Sequence, residues 1–383
     1  MRSLRRFLSP EFVFGIDARL VAGRYALSLG SVRPLVVSDA GVTAAGWTAE
    51  VMGALEADGL EAVLYAGVTP NPKAHEVMAG AELYRACACD VIIAVGGGSV
   101  IDCAKGIGIV VANGGHILDY TGIDNIPAPG PPLICVPTTA GSAADVSQFA
   151  VITDPERPAK MAIMSKAVVP DVSLIDPATT TTCDARLTAG CGLDAFTHAV
   201  EAFVSRAGSV MVDLHAIEAI TLLRQALPRI AAEPDDLAIR EVLMRASMHA
   251  GLAFSNASLG AAHAMSHPLG AGFDIPHGEA NALLLDHVVA FNFTEAADRY
   301  RRIGDAMGLH LAGLDGRRQI AALSEDIRRL KAETGLSHTL RDWGVSRDGL
   351  GDLAACAVGD ICLVTNPRSA GQSDLEVLYA EAL

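Results

Sequence analysis

No apolar run in this 383-residue chain approaches the roughly 20 residues that a membrane-spanning helix needs. The basic opening MRSLRRFLSP has no uninterrupted apolar stretch behind it, so no signal peptide is expected. Positive charge is in short supply. Lys and Arg number 29 against 44 Asp and Glu, a net charge of −15. Such a surface repels phosphate backbones and anionic lipids, so neither nucleic acid nor a membrane is an expected partner. A nucleotide ligand stays open, because backbone amides at helix N-termini bind phosphates locally. Cysteines are eight and scattered. Cys87 and Cys89 stand as C-x-C, but no second pair completes a zinc knuckle. They read as small hydrophobes in a reducing compartment, which makes a cytoplasmic location the expectation. There is no internal repeat and no low-complexity tail. What is present is 51% apolar residues, only 19% charged ones and 37 glycines. That composition describes a packed globular protein rich in tight turns.

Two regimes follow one another along the chain. Up to about residue 180, short β-branched runs alternate with helical patterns. Residues 34–38 (PLVVS), 61–65 (EAVLY), 90–95 (DVIIAV) and 133–137 (LICVP) read as strands, and residues 46–59 and 73–89 as helices between them. This alternation predicts a parallel sheet covered on both faces. EFVFG near the start reads as a short strand without an obvious hairpin partner. From about Cys183 strand signals stop, and residues 187–204, 210–226, 237–254, 280–291 and 317–334 have helical periodicity. The Thr-rich stretch DPATTTTCDARLT, with Pro177, separates the two.

The strand DVIIAV runs into Gly96, Gly97 and Gly98, and a helix starts at about Ser99. A backbone without Cβ atoms can approach a pyrophosphate closely, and the helix start aims free amides at it. The spacing is neither G-x-G-x-x-G nor a Walker loop. Asp39 follows the strand PLVVS, where an acid either hydrogen-bonds ribose hydroxyls and repels a 2′-phosphate or simply caps a helix. Thr138, Thr139 and Ser142, in PTTAGSAAD, follow another strand and suit either a cofactor contact or a plain turn.

Histidines concentrate in the helical half. GLDAFTHAVE sets Asp194 and His198 four apart on one helix face. In AAHAMSHPLGAGFDIPHGEA, His263 and His267 are again four apart and His277 follows. A carboxylate with several imidazoles suits Fe²⁺ or Zn²⁺ far better than Ca²⁺ or Mg²⁺. Spacing does not say which of His263 and His267 is the ligand. His215, His249 and His287 read as ordinary helix residues.

In order along the chain, GGGSVIDCAK, PTTAGS, CGLDAFTHAVEAF, HAMSHPLG and IPHGEANALLL resemble the iron-containing (group III) alcohol dehydrogenase family. The resemblance implies a Rossmann-like α/β domain over residues 1–182 and an all-α domain over residues 183–383, a dehydroquinate synthase-like architecture. It implies metal ligands Asp194, His198, His263 and His277, with His267 beside the nicotinamide and not on the metal. The implied NAD-binding set is Asp39, Asn71, Gly96, Gly97, Gly98, Ser99, Asp102, Thr138, Thr139, Ser142 and Lys160. It also places Phe149, Phe254 and Cys362 on a pocket wall, and implies a homodimer or a larger assembly of dimers.

The expected activity is a reversible hydride transfer between a small primary alcohol and NAD, with Lewis-acid help from iron (zinc is the alternative) and His267 as candidate proton relay. One segment departs from the family, which usually reads PTTAGTGSEVT where this chain has PTTAGSAADVS. Ala143 and Ala144 replace Gly and Ser, and Asp145 shortens a Glu. That departure opens a second reading, a catalytically weak regulatory or sensory homologue. Within enzymes, a polyol dehydrogenase or a lyase-like relative on the same scaffold is the other alternative.

Overall fold

The computed structural model describes residues 6–154 and 159–383, with the side chains of residues 159 and 160 left out. The chain divides into two compact units, one of residues 8–182 and one of residues 183–383 that also takes in Arg6 and Phe7.

The first unit carries nine strands: β1 (Glu11–Phe14), β2 (Pro34–Asp39), β3 (Val63–Val68), β4 (Val91–Gly96), β5 (Gly122–Ile123), β6 (Leu133–Pro137), β7 (Phe149–Asp154), β8 (Ala159–Met164) and β9 (Val172–Ile175). Between them lie α1 (Ala22–Ser28), α2 (Ala40–Ala44), α3 (Trp47–Ala57), α4 (Ala74–Ala86) and α5 (Gly98–Asn113). Six strands form one sheet in the order β1-β9-β6-β4-β2-β3, every pair parallel. Alternate residues of a strand point to opposite faces, and here both faces are apolar. Leu35, Val37, Ile92, Ala94 and Cys135 join the layer formed with α4 and α5. Val36, Ile93, Val95, Ile134 and Val136 join the layer formed with α1 and α3. This is a doubly wound, Rossmann-like sheet.

Three sequence expectations need correction here. The strand expected over residues 61–65 runs from Val63 to Val68. The first strand has a partner after all, since β1 pairs in parallel with β9 from Glu11↔Val172 to Phe14↔Ile175. Only sequence-distant pairing supplies that partner, so no local hairpin signal existed. Finally, the unit is not wholly parallel. β7 and β8 form an antiparallel hairpin that β5 extends into a second, three-stranded sheet.

The second unit is helical throughout its described residues: α6 (Ala185–Val204), α7 (Val210–Ala232), α8 (Leu237–Ala257), α9 (Ala261–Phe273), α10 (His277–Asn292), α11 (Ala297–Ala306), α12 (Gly316–Glu333), α13 (Leu350–Val358) and α14 (Gln372–Ala382). No helix among the described residues is long and apolar enough to cross a membrane. Side-chain caps start several of them, Asp184 for α6, Ser209 for α7 and Asp236 for α8. Helix α7 continues through Pro228 to Ala232, past its expected end, because proline lowers helix propensity without forbidding a helix that tertiary packing holds. Helix α10 starts earlier than expected, at His277, and this sets that ring on the same helix as Asn281, one turn on. Leu269, Leu284, Leu340, Leu375 and Tyr379 form a core shared by α9, α10 and α14, tied by Tyr379 Oη donating to the Met265 carbonyl at 2.6 Å.

Candidate metal centre and dinucleotide loop

Three helices of the second unit bring four side chains together. Asp194 and His198 come from α6, His263 from the first turn of α9 and His277 from the first residue of α10. One ligand-type atom from each lies within 4.8 Å of all the others. Around Asp194 Oδ1 stand His263 Nε2 at 3.6 Å, His277 Nε2 at 3.7 Å and His198 Nε2 at 3.8 Å. These separations exceed hydrogen-bond length. They sit near the edge of a tetrahedron about an ion with bonds of about 2.1 Å, which is about 3.4 Å. One carboxylate and three imidazoles so arranged fit a borderline divalent cation such as iron or zinc.

The packing of the helices creates this geometry. A Cβ on Gly278 would lie 2.1 Å from the Gly190 carbonyl oxygen, so α10 touches the backbone of α6 one turn before Asp194. Glu201, a turn beyond His198, accepts from His263 Nδ1 at 2.6 Å and from the amides of Gly260 at 3.0 Å and Ala262 at 2.6 Å. One buried carboxylate thus caps α9 and fixes the ring of its third residue, leaving Nε2 to face Asp194 Oδ1. Asn281 donates through Nδ2 to Asp194 Oδ1 at 2.7 Å. Burial by itself would raise the Asp194 pKa, but His198, His277 and His263 hold it well below the usual carboxylate range. Burial opposes a charge on His263 too, yet Glu201 and Asp194 raise its pKa to about 9. Each shift is the work of opposite charges close by, the imidazoles around the Asp194 carboxylate and the two carboxylates around the His263 ring.

His267 does not join the four. It lies on α9 one turn after His263, with its ring stacked on His277 at 5.5 Å and its Nδ1 2.6 Å from Asp360 Oδ2. Cys362 completes a small group with these two. At 2.6 Å the nitrogen and oxygen share a hydrogen bond and are too close to be two ligands of one ion. Burial pushes the Cys362 thiol well above its ordinary value, so it stays protonated. Phe254 stacks on His198 with centroids 4.3 Å apart. Of the remaining histidines, His215 and His249 meet each other, Nδ1 to Nδ1 at 2.8 Å, and His287 lies 3.8 Å from Asp286.

The first unit holds the other candidate residues. Gly97 precedes the first residue of α5 with no side-chain cap, so the opening amides of a 16-residue helix face outward from a glycine turn. Packing demands the glycines as well. A Cβ on Gly96 would meet Val100 at 2.5 Å, and one on Gly98 would meet Ser142 Oγ at 2.6 Å, while Gly97 faces Thr139 at 3.3 Å. Asn71, at φ 55°, donates its amide to Ser99 Oγ at 3.2 Å. Asn71, Gly97, Gly98, Ser99, Thr139 and Ser142 therefore surround one helix start. Thr138 is buried just behind, its amide on the Gly96 carbonyl. Asp102, one turn into α5, accepts from the Val151 amide at 3.1 Å. Asp39 ends β2 and accepts the Val42 amide at 2.8 Å as the cap of α2. Lys160 stands on β8, with its side chain outside the described residues.

The departing segment is built around backbone strain. Ala143 sits at φ 48°, in the left-handed region, where the family usually has glycine. That conformation costs an alanine about 1–2 kcal/mol, partly offset by the extra freedom glycine has when unfolded. Ala143→Gly is expected to stabilise the first unit by about 0.5–1 kcal/mol, read by calorimetry as a Tm rise of about 1–4 °C. No rise, or a fall, would show that the loop carries no strain. Asp145 is buried and accepts from Ser173 Oγ at 2.6 Å, reaching β9.

Family models match nearly the whole chain, iron-containing alcohol dehydrogenase over residues 9–177 and the C-terminal part of the same family over residues 188–383. The chain belongs to the iron-containing alcohol dehydrogenase family. It is 38% identical to 1,3-propanediol dehydrogenase of Citrobacter freundii over 96% of each chain. It is 32% identical to NAD-dependent methanol dehydrogenase of Bacillus methanolicus over 98% of this chain and 99% of that one. A crystal structure of a 1,3-propanediol oxidoreductase superimposes with a TM-score of 0.97 at 36% identity, covering all of both chains. Membership makes this protein a metal-dependent, NAD-dependent alcohol dehydrogenase or aldehyde reductase of the family.

Sequence reasoning missed three residues of the helical unit. Glu201 was legible, because it shares a helix face with Asp194 and His198 at seven and three residues. Asn281 was legible once α10 began at His277. Asp360 had no signal, since it reaches His267 across 93 residues.

Proposed function

We propose that this enzyme interconverts small primary alcohols and their aldehydes, with its metal held by Asp194, His198, His263 and His277. The observation that carries the reading is the set of three Nε2 atoms at 3.6–3.8 Å around Asp194 Oδ1. Iron is the metal we propose, on the family's description, with zinc suited by the same donors. When bound, the ion supplies a Lewis acid that polarises the substrate oxygen, and NAD supplies the hydride acceptor. The chain's own residues do the rest. Glu201 fixes the tautomer of His263. His267 takes or returns the hydroxyl proton. The amides at the start of α5, with Asn71, Gly96, Gly97, Gly98, Ser99, Asp102, Thr138, Thr139, Ser142 and Lys160, hold the dinucleotide. Asp39 takes the adenosine ribose and disfavours a 2′-phosphate.

Phe254, lying on His198, argues for a short substrate. Cys362, grouped with His267, is the other proposed wall residue of the helical unit. One methylene in a fitted pocket changes kcat/KM about 10- to 200-fold. Steady-state rates from ethanol to hexanol, each with NAD and with NADP, are expected to peak at the short end and with NAD. A profile rising to hexanol, or equal use of both cofactors, would overturn the reading. The relatives named above are enzymes, and no observation favours the regulatory alternative.

All eight cysteines are free thiols, which suits the cytoplasm. We also propose a homodimer, or a larger assembly of dimers. β1 ends its sheet with one partner, β9, and its Phe12 is exposed, so the open edge suits a second copy. Light scattering at micromolar concentration should return at least twice the 39.7 kDa chain mass, and a monomeric mass would rule the dimer out.

A further inference from the structure

Asp360 is a half-buried acid with a structural task. It caps the 3-10 turn Ile361–Thr365, and its two oxygens have separate tasks. Oδ1 accepts the Cys362 amide at 2.8 Å, and Oδ2 meets His267 Nδ1 at 2.6 Å. The turn thus fixes the carboxylate, and the carboxylate fixes the imidazole. The His267 ring is also held from the side, stacked on His277 with an interplanar angle of 10°. Burial works to raise the Asp360 pKa, but the His267 bond brings it below the ordinary value. An ionised carboxylate has no proton to give, so the hydrogen of this contact sits on Nδ1. Nδ1 is therefore committed to Asp360, and Nε2 is the ring nitrogen left outside this bond.

We infer that Asp360 is the positioning residue of a carboxylate–imidazole pair that sets His267 as a proton acceptor through Nε2. The inference rests on His267 being the proton relay proposed above. In alcohol oxidation the substrate loses a hydride to NAD and a proton from its hydroxyl, and the proton goes to Nε2. In reduction the same nitrogen returns it. The carboxylate keeps its charge throughout and stabilises the imidazolium formed in between.

Asp360→Asn in the metal-loaded enzyme tests this. An asparagine keeps the size and the capping oxygen, but its amide donates to Nδ1 and moves the ring proton to Nε2, closing the acceptor. We expect kcat to fall about 10- to 100-fold, with metal content and the KM for NAD unchanged. Spectra of the enzyme labelled with ¹⁵N-histidine should show one ring exchanging its two nitrogen signals. Asp360→Ser, which keeps a good capping oxygen and removes the partner, should give a similar loss and guards against a folding failure of the first variant. His267→Ala should lose at least as much, and the double variant with Asp360→Asn should be no worse than His267→Ala alone. If His267→Ala loses activity while both Asp360 variants keep it, the positioning role is wrong and the relay stands. If the penalties multiply in the double variant, or metal content drops with Asp360→Asn, Asp360 acts elsewhere. If His267→Ala keeps full kcat, the relay itself is wrong, and the positioning role falls with it.

Discussion

His263→Ala is expected to remove metal and activity together. The ring is fully buried, with Nδ1 committed to Glu201 and Nε2 among the other three ligand-type atoms. Alanine removes one of the four donors. The remaining three donors hold a divalent ion far less tightly. Losing Lewis-acid assistance removes several kcal/mol of transition-state stabilisation, so kcat should fall by about 10³-fold or more. Elemental analysis after dialysis should show metal well below one per chain. The fold should survive, because Glu201 keeps its bonds to the Gly260 and Ala262 amides and still caps α9. A protein that keeps stoichiometric metal would show that His263 is no ligand, and that the centre lies elsewhere.

Gly278→Ala, which touches no ligand atom, is expected to be almost as damaging. The new methyl would stand 2.1 Å from the Gly190 carbonyl oxygen, 2.7 Å from its carbon and 3.2 Å from Asp194 Cβ. Two of those atoms are backbone, so no rotamer change relieves the clash and α10 must move off α6. His277 is the neighbouring residue, and it moves with α10 away from Asp194. Overpacking against backbone should cost about 3 kcal/mol, a Tm drop of roughly 6–12 °C for a unit of this size. A misplacement of about 1 Å at the site should lower kcat about 100-fold. The control is Gly272→Ala on α9, where a Cβ meets nothing within 4 Å and alanine should be neutral or mildly stabilising. Equal behaviour of the two variants would mean the α6–α10 contact does not set the site.

The metal cluster was legible only in part. Asp194 and His198 share a face of α6 because they are four apart, and the same rule links His263 to His267. That rule cannot tell which ring of the second pair turns inward. The choice is made by Glu201, which takes His263 Nδ1, and by Asp360, which takes His267 Nδ1. Glu201 shares a face of α6 with His198, but it reaches His263 across 62 residues and Asp360 reaches His267 across 93, so helix spacing was silent on both pairings. The β7–β8 hairpin was a different kind of miss. Residues 149–154 alternate between partly and fully buried positions in the fold, but FAVITD opens with four consecutive apolar residues, so no period-two pattern marks the strand in the sequence.

The sequence by itself determined what local chemistry can determine. Alternating β-branched runs and helical patterns specified a parallel sheet, because each strand that is apolar on both faces must be covered on both. The glycine turn before α5 specified a backbone open to a phosphate, because only residues without Cβ fit there. The ordered motifs specified the family. Tertiary structure alone decided that β1 pairs with β9, that Ala143 takes a left-handed backbone, that Gly278 lies on Gly190, and which histidine faces the cluster. These are outcomes of contacts between segments tens to hundreds of residues apart. No window of sequence encodes such a contact, because its energy exists only when both partners are in place.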